Sequence, residues 1–196
     1  DIIIEHKKKK NKVIVVSSAM SGVTNDLIKK SKQISNNFID SEYDVLVSSG
    51  EQVACSLIAG RLNHKGFKSR SWLGWQIPIF TNGPYTNSRI QQVNKNKLLR
   101  FLKEGGIPII TGFQGINMNE RVTTIGRGGS DASAIMIAKS FKAQRCIIYT
   151  DVEGVYTTDP NKLKKAKKIK VISYEEMLEM ASLGAKVMQP VSIQDA

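Results

Sequence analysis

Lys12-Val13-Ile14-Val15-Val16-Ser17-Ser18-Ala19-Met20-Ser21-Gly22-Val23-Thr24 is the stretch that decides the fold. Val13 to Val16 are four consecutive β-branched residues, a run too short for a helix and suited to a strand buried on both faces. The run ends in a cluster of Ser, Gly and Thr, residues that start helices, here at about Thr24. A buried strand that hands over to a helix is the building unit of parallel sheets with helical layers.

Working outward, the same alternation recurs. Ser31 to Asp40 is polar and is predicted to loop out. A second helix is predicted from near Gly50 through Glu51, Val53, Ala54, Leu57, Ile58 and Leu62, with Gly66 as its stop. Ser69 to Trp72 and Ile77 to Phe80 read as strand pieces around a turn at Gly74, followed by a helix from about Ser88 to Glu104 that Gly105 and Gly106 end. Ile107 to Thr111 reads as another buried strand, and Gly112 to Thr124 as a hairpin. Ser130 to Phe141 is a predicted helix, Arg145 to Thr150 a strand, and Ser173 to Ala181 a helix. The fold class is therefore α/β with a mainly parallel sheet, and residues 1–196 are expected to form a single domain.

Composition excludes several classes. With 41% hydrophobic residues the chain can bury one sizeable core, yet its apolar runs fall far short of the roughly 20 residues that cross a bilayer. A protein with no membrane span and no secretory signal is expected, and because residue 1 is Asp an N-terminal segment is expected to be missing. Cys55 and Cys146 both lie in apolar stretches and read as buried thiols of a cytoplasmic protein; a disulfide or a nucleophile is the alternative. His6 and His64 sit among lysines, without carboxylates or thiols at ligand spacing, so no transition-metal site is expected. The net charge of +12 comes almost wholly from Lys7–Lys10 with Lys12 and from the run Lys162–Lys170; outside them 18 basic residues face 17 acidic ones. Such runs read as solvated faces, and no nucleic-acid partner is expected.

In open α/β sheets, anionic ligands bind where strands end and helices begin. Ser17 to Thr24, Gly126 to Asp131 and Thr150 to Asp159 have that form, while neither GxGxxG nor the P-loop pattern occurs. Thr123-Thr124-Ile125-Gly126-Arg127-Gly128-Gly129-Ser130-Asp131 is the strongest candidate. Its glycines admit close backbone approach, Ser130 can cap the next helix, and Arg127 can grip a carboxylate with two hydrogen bonds. A tight turn with an N-cap explains the glycines and Ser130, but not the flanking Arg127 and Asp131. The second candidate, Tyr149 to Pro160, is a long polar loop with Gly154 inside it and Tyr156 placed to flank a base; a structural loop is the competing reading.

The strings TTIGRGGSDASA, IYTDVEGVYTTDP, EEMLEMASLGAKVMQP, VSSAMSGVTN and SSGEQ together resemble the aspartokinases, in order and in spacing, over essentially the whole chain. The resemblance implies a three-layer αβα sandwich of the amino-acid kinase type. It also implies phosphoryl transfer from ATP, with Mg, to the side-chain carboxylate of L-aspartate, the first step toward lysine, threonine and methionine. By motif match, Ser18, Thr24, Glu51, Arg127 and Ser130 would hold aspartate, and Thr150, Asp151, Tyr156 and Lys186 would contact the nucleotide. Asp131 would organise the cations, and with Lys186 and Arg127 would make up the catalytic set. A homo-oligomer is expected of the full-length protein.

Physical chemistry agrees with that division. Phosphoryl transfer needs positioning and charge neutralisation more than covalent help. Glu51, expected at a helix start, suits an ammonium, or is a surface Glu favoured by the helix dipole. Lys186 offers the phosphates a point charge, or is a solvated lysine. Three departures from the pattern stand out. The opening strand ending in Lys-Phe-Gly-Gly is absent, the chain stops at Ala196 before the regulatory modules, and Asn161 replaces a common Arg. Rival readings are a kinase for another carboxylate such as glutamate, a nucleotide-binding fragment without catalysis, and a basic nucleic-acid binder.

Overall fold

The structure, a computed structural model, describes residues 1–150, 152, 154–158, 162–183 and 193–194. Its elements follow in the order α1 (Ile2–Lys8), β1 (Val15–Ser17), α2 (Val23–Ile34), α3 (Asp40–His64), β2 (Ser69–Trp72), β3 (Ile79–Asn82), β4 (Arg89–Val93), α4 (Asn96–Lys103), β5 (Ile107–Thr111), β6 (Gln114–Ile116), β7 (Val122–Thr124), α5 (Gly129–Phe141) and α6 (Tyr174–Ser182).

The strand β5 is buried at every position and pairs in parallel with β1 on one side and β2 on the other. Successive side chains of a strand point to opposite faces. Ile110, Val16 and Trp72 meet Leu98 of α4 and Ile137 of α5 on one face. Ile107, Ile109 and Val15 meet Cys55, Ala59 and Leu62 of α3 and Ile3 and Ile4 of α1 on the other. Two helical layers thus enclose a parallel sheet, the expected αβα sandwich. Ile107, Ile109 and Ile110 have no exposed surface, and full burial of such a side chain contributes about 1.5–3 kcal/mol. A second sheet, ordered β4-β3-β6-β7, is built from two antiparallel hairpins joined by a parallel contact between β3 and β6.

Several expectations need correction. The strand expected over Lys12 to Ser17 is limited to Val15–Ser17, and α2 runs on to Ile34 before the chain loops. The stretch expected as a helix from Ser88 begins instead as β4, whose Arg89–Val93 backbone is drawn into a ladder with β3; the helix α4 is short. Arg145 to Thr150 forms no strand, and Cys146 is exposed, not buried. Among the described residues no strand pairs with the apolar run 145–150, and without a ladder Ile147 is left 50% exposed. The cap of α5 is Gly128 in the left-handed conformation, with no side-chain cap bond, so Ser130 lies inside the first turn. At α6 the expectation holds: Ser173 caps the helix in a reciprocal box with Glu176.

The largest correction is α3, which begins at Asp40 and runs 25 residues through Gly50. Gly50 does not break it, because the glycine serves packing. A Cβ there would lie 2.9 Å from that of Ala19 and 3.1 Å from Val23 Cγ1, so only glycine lets α3 press against the chain leaving β1. Gly60, in the same helix, faces open space. Gly60→Ala is therefore expected to stabilise the fold by about 0.5–1 kcal/mol in denaturant titrations, through helix propensity and unfolded-state entropy. A loss of stability would show that Gly60 is held against something.

Candidate functional site

The close approach at Gly50 sets the first half of the site. Just past it, Glu51 is only 3% exposed, and its Oε1 accepts the Ala19 amide at 3.0 Å. Glu51 thus sits in mid-helix against the chain that leaves β1, not at a helix start. That chain carries Ser18, exposed, and Thr24, half-buried in the first turn of α2. The other carboxylate oxygen, Oε2, is buried with no hydrogen-bond partner among the described residues. Burial pushes the Glu51 carboxyl up to about 6, against the pull of the Ala19 amide. One turn later, burial and then the Glu51 charge push the Cys55 thiol up to about 12, which rules it out as a nucleophile at neutral pH.

The second half of the site is the loop between β7 and α5. Gly126 and Gly128 have φ of 79° and 74°, the left-handed region that glycine tolerates. The Gly129 amide donates to Gly126 O at 3.0 Å, closing the turn. The parallel sheet joins the two halves: the Gly112 amide, just past β5, donates to Ser17 O at 3.0 Å. A Cβ on Gly112 would lie 2.8 Å from Ser130 Oγ, so Ser130 rests on the sheet end next to the chain that carries Ser18. Ser133 fastens the helix from below, accepting from the Phe113 amide at 3.1 Å and donating to Gly129 O at 2.7 Å.

Arg127 projects from the loop, exposed, and pairs with no carboxylate among the described residues. Asp131 lies half-buried in the first turn of α5, where desolvation raises its carboxyl. Its charge, after burial, is the second influence that raises the thiol of Cys146. The structure therefore brings together Ser18, Glu51 and Ser130 at the carboxyl ends of β1 and β5, with Arg127 and Asp131 on the loop and helix that border them.

The nucleotide set is placed less fully. Thr150 is exposed at the end of the 145–150 segment. Tyr156 pairs through its backbone with Lys168, and the neighbouring Val155 packs with Met177 and Ala181 of α6. Asp151 and Lys186 lie outside the described residues. Two buried polar residues escaped the reading of the sequence. Gln114 donates to Ser48 O at 3.0 Å, and Asp44 gathers donors from Thr86 and Thr124. The one available signal for Asp44 was its place seven residues before Glu51, two helical turns along the same face.

Among the described residues no group of three or more His, Cys, Asp or Glu could hold a metal alone. Asp131 offers one half-buried carboxylate, the hard oxygen ligand that suits a magnesium ion.

Raising the carboxyl of Glu51 has a thermodynamic sign. The folded state binds the Glu51 proton more tightly than the unfolded chain does. Its contribution is present below pH 4.5 and is lost as pH rises through about 6. Glu51→Gln is therefore expected to raise stability at pH 7.5 by about 1–2 kcal/mol, with the gain vanishing near pH 4. Thermal melts at the two pH values check this; an equal effect at both would show that Glu51 is not titrating.

The class defined by this sandwich and its strand-end site has a match in sequence: the profile of the amino acid kinase family covers residues 1–194, and the chain belongs to that family. Within it the chain is similar to aspartokinases. It is 48% identical over 194 residues to the aspartokinase of Geobacillus stearothermophilus, across 99% of this chain and 48% of that protein. To the aspartate kinase of Pseudomonas putida it is 44% identical, across 98% of this chain and 47% of that protein. Among solved structures, E. coli aspartokinase III in complex with aspartate and ADP (R-state) superposes with a TM-score of 0.84 at 28% identity, over 94% of this chain and 52% of that one. Aspartate kinase from Synechocystis superposes with a TM-score of 0.85 at 38% identity, over all of this chain and 32% of that one. The chain spans about half the length of the Geobacillus and Pseudomonas relatives it matches.

Proposed function

We propose that the protein carrying this chain transfers the γ-phosphoryl of ATP to the side-chain carboxylate of L-aspartate. The observation that carries this reading is Glu51, a buried carboxylate with one oxygen satisfied by Ala19 and the other orphaned among the described residues. An orphaned buried acceptor is costly, and a cationic ligand group relieves the cost. The α-ammonium of an amino acid is such a group.

Arg127 then takes the α-carboxylate, and the hydroxyls of Ser18, Thr24 and Ser130 fix the remaining polar atoms. That leaves the side-chain carboxylate directed at the nucleotide. One of its oxygens attacks the γ-phosphorus as the bond to ADP breaks. The acceptor is already ionised, so no general base is needed. The Gly126–Gly129 backbone lets the phosphates approach closely, and Thr150, Asp151, Tyr156 and Lys186 are assigned to the nucleotide. Asp131 would hold a magnesium ion, which would supply neutralisation of the developing charge.

The relatives' names and the aspartate and ADP bound to E. coli aspartokinase III support this choice of substrates. The test uses the complete gene product with ATP, magnesium and a panel of amino acids that includes aspartate and glutamate, with acyl phosphates trapped by hydroxylamine. Aspartyl hydroxamate is the expected product. Hydroxamate from glutamate alone, or from no amino acid, overturns the reading.

A further inference from the structure

We propose that Asp44 is a positioning residue, whose carboxylate clamps the turn at Thr86 to the end of β7 and so sets the Gly126–Asp131 loop that receives the ligand. The role in catalysis rests on the function proposed above; the clamp itself does not.

Asp44 is fully buried in the second turn of α3. Its Oδ2 accepts the Thr124 amide at 2.8 Å and the Thr86 amide at 3.0 Å. Its Oδ1 accepts the Thr124 hydroxyl at 2.7 Å and the Thr86 amide at 3.1 Å. Both partners sit next to the loop. Thr124 is the last residue of β7, two before Gly126. Thr86 is a non-glycine residue at φ 65°, a conformation that a threonine adopts only when its surroundings impose it. From there the Thr86 carbonyl and the Asn87 side chain close on Gly126, where an added Cβ would meet them at 3.2 and 2.9 Å. The Ser88 amide, donating to Thr124 O at 2.9 Å, ties the turn to β7 again.

The first glycine of the loop is thus gripped from two sides, and one carboxylate holds both. Charge-assisted bonds to N–H groups are stronger than neutral ones. Asparagine does not offer the same acceptors, since an amide in this place turns an NH2 toward N–H donors. Burial raises the Asp44 carboxyl while the bonds from Thr86 and Thr124 oppose that shift. Because α3 also carries Glu51 two turns on, the clamp sets the distance between the pocket for the ammonium and the loop that bears Arg127 and Asp131.

The experiment compares Asp44→Asn, Thr124→Val and the pair Asp44→Asn/Thr86→Gly with wild type in the complete gene product, by steady-state kinetics and by amide hydrogen exchange of residues 122–131 without substrate. Asp44→Asn is expected to lower kcat/KM for aspartate by about tenfold or more and to speed exchange in this segment by a similar factor. Adding Thr86→Gly should recover at least about threefold of the loss, because glycine holds a positive φ unaided. Thr124→Val, lacking one bond, should shift both readouts in the same direction by less.

Unchanged exchange and kinetics in a folded Asp44→Asn, even with a lowered melting temperature, overturn the proposal, as does absence of any recovery from Thr86→Gly. Should Asp44→Asn not fold, Thr124→Val decides: unchanged exchange over 122–131 overturns the clamp, and faster exchange supports it. A wild type that makes no hydroxamate sinks the proposed function, while the exchange data still judge Asp44.

Discussion

Asp131→Asn is expected to cut turnover by about a hundredfold or more while leaving the melting temperature within a few degrees of wild type. The two parts have separate causes. On the proposed function, the carboxylate in the first turn of α5 would hold the magnesium ion that offsets the negative charge on the moving phosphoryl, and uncharged asparagine would hold that ion less well, so turnover falls. Stability holds because the charge contributes little in the resting protein: desolvation raises the Asp131 carboxyl, with no partner among the described residues to offset it. An acid at a helix N-terminus contributes only about 0.3–1 kcal/mol, and removing a half-buried charge returns part of that. Turnover at saturating aspartate and ATP, set beside calorimetric melts, separates the effects. Wild-type turnover in the mutant would make Asp131 an ordinary first-turn acid.

Glu51→Gln should act on the other substrate. With an ammonium paired to a buried carboxylate, the charge-assisted bond is worth about 1.5–3 kcal/mol, so the KM for aspartate should rise by roughly ten- to a hundredfold, with the KM for ATP little changed. The same placement predicts a pH effect in wild type. As pH falls through about 6, Glu51 takes up a proton and loses its attraction for the ammonium, so capture of aspartate weakens. In Glu51→Gln that limb of the profile should disappear. A mutant that raises only the KM for ATP would move Glu51 out of the amino-acid pocket.

Short apolar runs revealed the parallel sheet because burial on both faces leaves few polar positions, as at Ile107–Thr111, where only the last residue is polar. The candidate site was read from where those strands end, and the structure puts Ser18, Glu51 and Ser130 at that end of the sheet. Ser48-Ser49-Gly50 looked like a helix boundary and is helix interior. Both serine hydroxyls bond back within the helix, to Val45 O and Leu46 O, and the glycine is required by Ala19. Polar side chains satisfied in this way leave no trace in periodicity. The segment Arg89–Val93 shows the opposite error, since its fate was decided by a ladder with β3 that local propensity does not report. Asp44 was hidden for a related reason: its donors lie 42 and 80 residues further along the chain, and no local pattern announces a contact of that span.

The two cysteines differ in a way that can be put to use. Cys55 is sealed in the core and its thiol is pushed up to about 12, so alkylating reagents should pass it by in the folded protein. Cys146 is exposed, and its thiol is raised first by partial burial and then by the charge of Asp131. A cation that settles on Asp131 cancels the second influence and leaves more thiolate at Cys146. If a cation binds there, the speed of thiol labelling at Cys146 should rise with its concentration while Cys55 stays unlabelled, a readout that needs no dye or tag engineered into the chain.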